Sequence, residues 1–578
     1  MKGIPDVSSI RTDTVSFDIF DTLVLRPFVE PTDLFLLLEQ QFDIPGFAVK
    51  RMGAERDARS RSKKEVTLDD IYSHIPEYKE MMARECDAEI SLAQPNPGMV
   101  SLLKDLTARD KMIILISDMY LPKKTVESML DKVGVHYDLL YLSSEIGSTK
   151  HTGELFSYVL QDLSLKPADL THIGDNRHSD LKVPRSMGIN TIFAERPVSA
   201  YLRTHDNERR YYRKNRCLSS SIIVAMDMLS ELNNKNSDDS VWKRMGLRYG
   251  GPLAFSFVNF IHSKARKDSV LFFTARDGYS LKRVYEYLFP DENDCHYVNL
   301  QRVIYNSLFD SRLPVDNDII LPTKVTHIIR YGRVVSRIRS ILSFFSDDLN
   351  IDKIPTDAME LTGKYNLLRA SIKSSRENET SLLMTELKGL CGDKDVDLID
   401  CTTMRYTSQK LLESLISKEV HGIHLVTLKD STNSNDSMCR WKGRIGWLKV
   451  NTSEFLLCSP ELPLKGLCDG RPIYMECPDP EVERAEHYDE VSEGIISYCR
   501  FFKDIFGDIM PMMEYNPVTE WMLLVTAHGT EYRDLLSRMK WASNSDHTDW
   551  ISLFPMRQPL KSIKRLIDDV LGRLFPEK

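Results

Sequence analysis

Short apolar runs and amphipathic stretches alternate between residue 14 and about residue 196. Apolar runs of about four to eight residues, separated by helical patterns, predict buried parallel strands with helices on both faces of the sheet. The helical pattern is clearest over residues 122–133 and 153–163. The predicted strands are Val15–Phe20, Met112–Ile116, Leu139–Leu142, Leu170–Ile173 and Thr191–Phe193.

A helix-rich segment interrupts this pattern between about residues 28 and 97. Helical periodicity covers residues 33–41, 69–75 and 77–93, and charge clusters such as Arg59–Lys64 lie between these stretches. We interpret the segment as a helical cap inserted over the strand ends. Residues 1–200 are therefore predicted to form one α/β domain with a parallel sheet and a cap.

The second half of the chain begins after a change in composition. Residues 201–245 are first basic and aromatic and then polar, which predicts a helical connector. A second α/β pattern with added helices covers residues 246–480, and the helical pattern dominates residues 481–578. The strongest predicted strands of this half are Val270–Thr274, Asp397–Asp400 and Gly422–Thr427.

Composition excludes several classes of protein. The chain has 578 residues, and its 76 Lys+Arg against 84 Asp+Glu give a net charge of −8, which argues against a nucleic-acid-binding protein. The ten cysteines form no Cys-x-x-Cys pair, so we expect reduced thiols and neither a disulfide framework nor a zinc site. No apolar leader and no apolar stretch of about 20 residues is present, which predicts a cytoplasmic protein.

Polar motifs follow the predicted strands of the first half. Asp18 ends the first apolar run, Ser117 ends the second, and Lys150 follows the third after a short polar stretch. The segment Asp175–Asp180 follows the fourth run. Because ligands of parallel sheets bind at the carboxyl ends of the strands, we expect these groups to gather at one site.

These residue types together suit phosphoryl transfer. A carboxylate can attack phosphorus only when the repulsion between the two anions is relieved. Asp18 is the candidate nucleophile, and Asp175 is placed to help hold a Mg²⁺ that neutralises both partners. Lys150 and the hydroxyl of Ser117 would stabilise the transferred phosphoryl oxygens. Water would then hydrolyse the aspartyl-phosphate.

The order, strand context and spacing of these motifs resemble the haloacid dehalogenase (HAD) superfamily over about residues 14–196. The resemblance implies a HAD-like Rossmannoid sheet with a helical cap and a Mg²⁺-dependent phosphatase. It also implies metal binding by Asp18, the backbone carbonyl of Phe20, Asp175 and Asp180. The implied catalytic residues are Asp18, Asp21, Ser117 and Lys150.

One position departs from the HAD pattern. HAD phosphatases usually carry an acid/base aspartate two residues after the nucleophile, and Phe20 occupies that position here. Asp21 either replaces that aspartate or caps a turn. Asp180 either belongs to the surroundings of the metal or caps the N-terminus of a helix. His178 is expected to be a solvent-exposed loop residue. His172 lies within an apolar run, which predicts a hydrogen-bonded core histidine.

Two strand–loop–helix junctions stand out in the second half. Arg276, Asp277 and Gly278 follow the strand at 270–274, where free backbone amides and a guanidinium would suit an anion. Asp277 would either orient Arg276 or bind Mg²⁺–pyrophosphate. At the second junction, Asp400 would accept hydrogen bonds from sugar hydroxyls. The residues proposed to surround a phosphate there are Thr402, Thr403 and Thr407. Ordinary helix capping by Thr403 or Thr407 is the alternative interpretation.

The two junctions resemble the pyrophosphate loop and the phosphoribosyl-pyrophosphate (PRPP) loop of type I phosphoribosyltransferases. The match is partial, because Ile399 stands where those enzymes have a second acid and residues 404–407 lack a glycine. The whole chain is similar to bacterial surface-polysaccharide proteins that fuse such a transferase to a HAD phosphatase. The resemblance implies transfer of 5-phosphoribose from PRPP to a lipid-linked or oligosaccharide acceptor, followed by removal of the 5-phosphate.

Other interpretations remain open at this point. The chain would alternatively be a stand-alone HAD sugar-phosphate phosphatase whose second half binds a substrate or a partner. A non-catalytic scaffold is a third hypothesis, because Phe20 removes the usual acid. Residues 454–460 and 465–466 either contact the acceptor or form a strand and a turn. The amphipathic segment 560–575 either lies at a membrane surface as a peripheral anchor or packs on its own domain.

Overall fold

The computed structural model describes residues 6–62, 64–233, 239–309, 318, 328–346, 349–403, 406–427, 435–440, 453–513, 530–542 and 550–552. The chain divides into two compact units. The first contains residues 1–238 and 500–514, and the second contains residues 239–499 and 515–578. The predicted amphipathic segment 560–575 lies outside the described residues.

A five-stranded parallel sheet forms the centre of the first unit, in the order β5-β4-β1-β6-β7. Every residue of β1 and β6 is buried, as expected for strands that the apolar runs of the sequence predict at the centre of a parallel sheet. The strands that the described residues of this unit form are β1 Thr14–Phe17, β2 Val24–Leu25, β3 Gln94–Pro95, β4 Met112–Ser117, β5 Leu139–Leu142, β6 Leu170–Gly174 and β7 Asn190–Phe193.

Helices surround this sheet and build the cap. The short strands β2 and β3 pair with each other in antiparallel fashion, and the cap helices α1–α4 lie between them in sequence. The helices of this unit are α1 Asp33–Gln41, α2 Phe47–Arg61, α3 Leu68–Ser73, α4 Met81–Leu92, α5 Pro97–Thr107, α6 Lys123–Lys132, α7 Ser143–Ile146, α8 Glu154–Asp162, α9 Val183–Ser186, α10 Pro197–Thr204, α11 Asp206–Lys214 and α12 Leu218–Asn233. Most of the predicted connector 201–245 is therefore helical, and its residues up to 238 belong to the first unit.

The first strand ends earlier than predicted. The run Val15–Phe20 was expected to be extended throughout, but β1 stops at Phe17. The chain then turns, because the backbone N–H groups of Leu23 and Val24 both donate to the carbonyl of Ile19, at 2.8 and 2.9 Å. The turn therefore follows Asp18, and it buries the apolar side chains of Ile19 and Leu23.

A second five-stranded parallel sheet forms the centre of the second unit, in the order β12-β11-β10-β8-β9. The chain leaves β8 to one side for β9 and returns to the other side for β10, so the strand order reverses between β8 and β10. The strands of this unit are β8 Val270–Thr274, β9 Asp294–Val298, β10 Val396–Thr403, β11 Val420–Thr427, β12 Asn435–Arg440, β13 Leu464–Cys468, β14 Arg471–Tyr474, β15 Lys540–Ala542 and β16 Trp550–Ser552.

The strand β10 is longer than the predicted Asp397–Asp400, so Thr402 and Thr403 lie in the sheet and not in the following loop. The helices of this unit are α13 Val241–Met245, α14 Gly251–Lys264, α15 Gly278–Leu288, α16 Arg302–Ile304, α17 Ile328–Phe344, α18 Ala358–Cys391, α19 Thr407–Ile416, α20 Asp479–Phe506 and α21 Thr530–Arg538. The last residues of α20, 500–506, belong to the first unit. Among the described residues, none of these helices has the length and apolar character that crossing a bilayer requires.

Candidate active site

Asp18 lies at the carboxyl end of the central strand β1. Its backbone N–H donates to the carbonyl of Ile173 on β6 at 2.8 Å, and its side chain is buried with 6% exposure. The ammonium of Lys150 donates to its Oδ1 at 2.5 Å, and the hydroxyl of Ser117 donates to the same oxygen at 3.3 Å. The structure thus brings together residues that β1, β4 and the segment after α7 carry.

Lys150 bridges two carboxylates. Its Nζ also donates to Oδ1 of Asp180 at 2.6 Å, and the side chain is 2% exposed. Asp118 fixes the backbone at Lys150 and His151, because its carboxylate accepts their N–H groups at 2.7 and 3.3 Å. Sequence analysis did not assign Asp118, although an aspartate directly after Ser117 is the signal that would have suggested it.

Asp180 belongs to the group of charged residues around Lys150, and Asn176 caps the helical segment Arg177–Lys182 that follows it. The side chain of Asn176 accepts the N–H groups of His178 and Ser179, whereas Asp180 accepts the N–H of Asn176 at 2.9 Å. A Cβ on Gly174 would lie 2.5 Å from the carboxyl carbon of Asp180, so glycine is required for the carboxylate to approach the strand.

Two histidines near this loop differ in environment. His172 is fully buried, with 2.8 Å between Nδ1 and Oγ of Ser16 and 3.2 Å between Nε2 and Oδ1 of Asp180, so it is the hydrogen-bonded core histidine that the sequence predicts. His178 is exposed, and its ring contacts that of His151 with centroids 4.4 Å apart and the ring planes tilted by 44°.

Three carboxylates converge at the same edge of the sheet. Oxygen atoms of Asp18, Asp175 and Asp180 all lie within 4.8 Å of one another. Burial, together with Asp180, raises the pKa of Asp18 to about 7 against the opposing effect of Lys150. Burial and the neighbouring carboxylates of Asp18 and Asp21 raise the pKa of Asp175 to about 8. A divalent cation would relieve this repulsion, and carboxylate oxygens are ligands of Mg²⁺, so the residues present fit that ion.

Phe20 and Asp21 are the second and third residues after the candidate nucleophile Asp18, and the side chain of each contacts an arginine. The ring of Phe20, whose backbone carbonyl is the predicted metal ligand, lies 4.5 Å from the guanidinium of Arg26. Asp21 has a left-handed backbone with φ +59°, and its Oδ2 lies 3.0 Å from Nε of Arg196. Asp21 therefore lies in a turn and forms an ion pair that the sequence did not indicate.

The first junction of the second unit contains a buried ion cluster. The guanidinium of Arg276 donates to Glu481 at 2.6 Å, and Arg484 donates to the same carboxylate at 2.9 and 3.0 Å. Arg276 is thus held by a glutamate of α20, where the sequence predicted a phosphate. Burial raises the pKa of the adjacent Asp277 to about 6, although the two arginines oppose the shift. A Cβ on Gly278 would lie 2.8 Å from the backbone of Phe273, so close packing explains this glycine.

The second junction lies beside the first at the carboxyl end of β10. The hydroxyl of Thr274 lies 3.5 Å from Oδ1 of Asp400. The hydroxyl of Thr402 is buried and has no hydrogen-bond partner among the described residues. Thr403 accepts the backbone N–H of Tyr406 at 2.9 Å. Thr407 is the first residue of α19, whose N-cap residue is Tyr406 and which has no side-chain capping hydrogen bond.

Sequence analysis also missed His424 on β11. It pairs in register with Asp400 across the sheet and is fully buried. Burial lowers its pKa to about 4 against the opposing effect of the Asp400 backbone, so the ring is neutral beside the predicted sugar-binding aspartate. A lone histidine in an apolar strand offers no local signal for this placement.

Comparison with known proteins concerns the first unit. The family model described as haloacid dehalogenase-like hydrolase matches residues 50–194, which include Ser117, Lys150, Asp175 and Asp180. A glyceraldehyde 3-phosphate phosphatase of Methanocaldococcus jannaschii is 28% identical over 108 residues, or 18% of this chain. The match spans 46% of that protein, so the chain covers about half the length of its curated relative.

Solved structures with low identity also match this part of the chain. An L-2-haloacid dehalogenase from Xanthobacter autotrophicus is 13% identical, with a TM-score of 0.26, and the match covers 34% of this chain and 83% of that one. A HAD family enzyme from Bacteroides thetaiotaomicron, in complex with magnesium and inorganic phosphate, is 16% identical with a TM-score of 0.22. That match covers 32% of this chain and 95% of the other.

Proposed function

Because the N-terminal part of the chain holds a haloacid dehalogenase-like hydrolase domain, we propose that the first unit is a phosphatase that hydrolyses sugar phosphates through Asp18. The observation that carries this proposal is the contact of 2.5 Å between the Lys150 ammonium and the Asp18 carboxylate. A buried cation at the nucleophile relieves the repulsion that otherwise keeps a carboxylate from a phosphate.

Each side chain of the site has a distinct task in this mechanism. Asp18 attacks phosphorus and forms an aspartyl-phosphate, which water then hydrolyses. Lys150 orients the attacking carboxylate and, with the Ser117 hydroxyl, stabilises the transferred oxygens. Asp118 holds the Lys150 segment in place through two backbone hydrogen bonds. When bound by Asp18, Asp175 and Asp180, Mg²⁺ would supply further positive charge for the phosphoryl group.

The substrate class follows from the curated relative. That protein is named for a phosphatase activity on glyceraldehyde 3-phosphate, a small phosphorylated sugar. The matched segment covers 18% of this chain. The relative supports sugar phosphates as the substrate class, and the proposal is made at the level of that class.

Release of inorganic phosphate from ribose 5-phosphate tests the proposal. We expect Mg²⁺-dependent release by the full chain and a loss of about 10³-fold or more in kcat for Asp18→Asn. The matched control is Asp13→Asn in the same unit, where the carboxylate is exposed and pairs with Lys111. Hydrolysis that survives in Asp18→Asn at the control's rate would refute the proposal.

For the second unit, we propose transfer of 5-phosphoribose from PRPP to a lipid-linked or oligosaccharide acceptor. The first unit would then remove the 5-phosphate. The support is the strand order, since β8 and β10 flank the point where it reverses, and open α/β sheets bind ligands there. Asp400, which accepts the hydroxyl of Thr274, lies at that point together with the buried Thr402 hydroxyl, for which the described residues offer no hydrogen-bond partner.

Calorimetric titration with PRPP tests the second proposal. We expect binding that weakens by about tenfold in Asp400→Asn, a loss of about 1.4 kcal/mol. Asp393→Asn, at an exposed position of the same unit, is the matched control. If PRPP does not bind while ribose 5-phosphate is hydrolysed, the chain is instead a phosphatase whose second unit binds another substrate or a partner.

A further inference from the structure

Two neighbouring strands of the first sheet place Ser16 and His172 side by side. The two residues are paired in register between β1 and β6, and both side chains are fully buried. The hydroxyl oxygen of Ser16 lies 2.8 Å from Nδ1 of His172. Ser16 precedes the candidate nucleophile Asp18 by two residues, so one member of the pair belongs to the strand that carries the nucleophile.

The other ring nitrogen of His172 contacts the charged residues of the site. Nε2 lies 3.2 Å from Oδ1 of Asp180. The same oxygen accepts a hydrogen bond from Nζ of Lys150 at 2.6 Å, and Nζ also donates to Oδ1 of Asp18 at 2.5 Å. The contacts therefore form an unbroken buried chain that starts at Ser16 on β1 and ends at Asp18, directly after the same strand.

An aromatic contact fixes the plane of the His172 ring. The ring of Phe156, from α8, lies edge-on to it with centroids 4.9 Å apart and an interplanar angle of 78°. Phe156 is itself fully buried, so it cannot move aside without disturbing the core. The imidazole is thus held at both nitrogens and against one neighbouring ring.

The proton of His172 is expected on the nitrogen that faces Asp180. The Asp180 carboxylate is shared, because Oδ2 accepts the backbone N–H of Asn176 at 2.9 Å while Oδ1 contacts Lys150 and His172. A carboxylate paired with an ammonium is ionised and only accepts hydrogen bonds, so Nε2 carries a proton. Burial lowers the pKa of His172, which favours the neutral ring. In that form Nδ1 is an acceptor, and the Ser16 hydroxyl donates to it.

We infer that His172 is a positioning residue for hydrolysis in the first unit. The Ser16 hydroxyl sets its tautomer, and its Nε2–H group holds Asp180 where this carboxylate fixes Lys150 against Asp18. The role rests on the proposed phosphatase and is exerted through Asp180 and Lys150, without contact with the phosphate. A histidine that only satisfied hydrogen bonds of the core would contribute to folding alone, so the two roles predict different kinetics.

Hydrolysis of ribose 5-phosphate by His172→Leu, at saturating Mg²⁺, is the primary test. Leucine removes both hydrogen bonds of the ring and keeps an apolar side chain in the core. We expect kcat to fall by about tenfold or more and KM to change by less than about twofold, because Lys150 is displaced while the substrate contacts remain. His136→Leu, at an exposed position of the same unit, is the surface control. A His172→Leu variant that keeps more than about half of the original kcat would overturn the inference.

Val159→Ala separates positioning from a loss of stability. Val159 is buried in the same apolar cluster as Phe156, so its truncation weakens the core near His172 without removing a hydrogen bond. We expect a lower free energy of unfolding and a kcat within about twofold of the original. If Val159→Ala lowers kcat as much as His172→Leu does, the histidine is only structural and the inference is wrong.

Two conservative variants distinguish the two hydrogen bonds of the ring. His172→Gln can place an amide N–H near the position of Nε2, whereas His172→Asn can place an amide oxygen near that of Nδ1. We expect kcat of His172→Gln to lie within about threefold of the original and His172→Asn to be as slow as His172→Leu. A slow glutamine variant beside a fast asparagine variant would contradict the role of the bond to Asp180.

Nitrogen NMR of isotope-labelled histidine tests the tautomer in the unmodified protein, so it does not depend on the folding of any variant at position 172. We expect the His172 ring, identified by its response to Ser16→Ala, to be neutral and protonated at Nε2. A neutral ring protonated at Nδ1 would overturn the inference. Hydrolysis that is absent from the unmodified protein, or that survives in Asp18→Asn, would instead defeat the proposed phosphatase, so the two failures are distinguishable.

Discussion

Both parallel sheets gather charged side chains at the carboxyl ends of their strands, but the charges are compensated in different ways. In the first unit, Lys150 faces Asp18 and Asp180, and Asp175 adds a third carboxylate within 4.8 Å. In the second unit, Arg276 is compensated by Glu481, which the helix α20 supplies from outside the sheet.

The first unit therefore has a site with uncompensated negative charge, whereas the arginines of the second unit are already paired with a carboxylate of the protein. Two buried carboxylates and the half-buried Asp175, against one ammonium, leave negative charge that a cation would neutralise. Arg276 and Arg484 share one glutamate and also lie near Asp277. A ligand of the second unit is therefore expected to depend on backbone amides, hydroxyls and Asp400 more than on Arg276.

The largest expected effect is that of Lys150→Met on hydrolysis. Removing the ammonium leaves Asp18 and Asp180 without their shared cation, so we expect kcat for ribose 5-phosphate to fall by about 10³-fold. Lys282→Met, which removes a surface lysine of the second unit, should leave kcat within about twofold. A Lys150→Met variant with more than about a tenth of the original kcat would contradict the assigned role.

Glu481→Gln tests whether the arginine cluster of the second unit is structural. The substitution removes the carboxylate that the two buried guanidinium groups share, so the free energy of unfolding should fall by about 3 kcal/mol. Urea unfolding of the full chain measures this change. Glu486→Gln, at an exposed position of the same helix, is the control and should change the free energy by less than about 0.5 kcal/mol. Equal stability of the two variants would mean that the cluster contributes nothing to folding.

Mg²⁺ is expected to stabilise the first unit. At a concentration about 100 times its Kd, a bound ion adds about 2.7 kcal/mol to the free energy of unfolding. Asp175→Asn should abolish the added stability, whereas Asp277→Asn in the second unit should retain it. Thermal unfolding with and without a chelator checks both variants. Loss of the Mg²⁺ effect in Asp277→Asn alone would place the ion in the second unit.

The smallest effect concerns His421 on β11. Its hydrogen bond to Asp397 raises its pKa against the opposing effect of burial, and Asp436 adds to the rise. A raised pKa in the folded state contributes stability that is present below the unfolded value of about 6.5 and is lost as pH rises through the folded value. The free energy of unfolding should therefore decline by about 1 kcal/mol from pH 6 to pH 8, and His421→Asn should remove that part of the decline. An unchanged pH profile in His421→Asn would exclude the contribution.

Much of the first site could be predicted because its signals are local. Each apolar run ends beside its polar motif, so the strand and the functional group are read from the same few residues, as with Asp18 after β1 and Ser117 at the end of β4. The errors lie at element ends, where burial no longer distinguishes a strand from a turn. Phe20 is as apolar as the strand before it, yet β1 has already ended at Phe17 and the chain turns over residues 19–24.

The sequence by itself determined the two α/β patterns and the helical cap between the Asp18 and Ser117 motifs. It also identified the candidate nucleophile Asp18 and the lysine of the same site, Lys150. Only the tertiary structure decided which partner each charge has. Arg276 lies 205 residues from Glu481, and no local pattern specifies that pair. The physical reason is that strand formation depends on neighbouring residues, whereas compensation of a buried charge depends on whichever distant group the fold brings within a few ångströms.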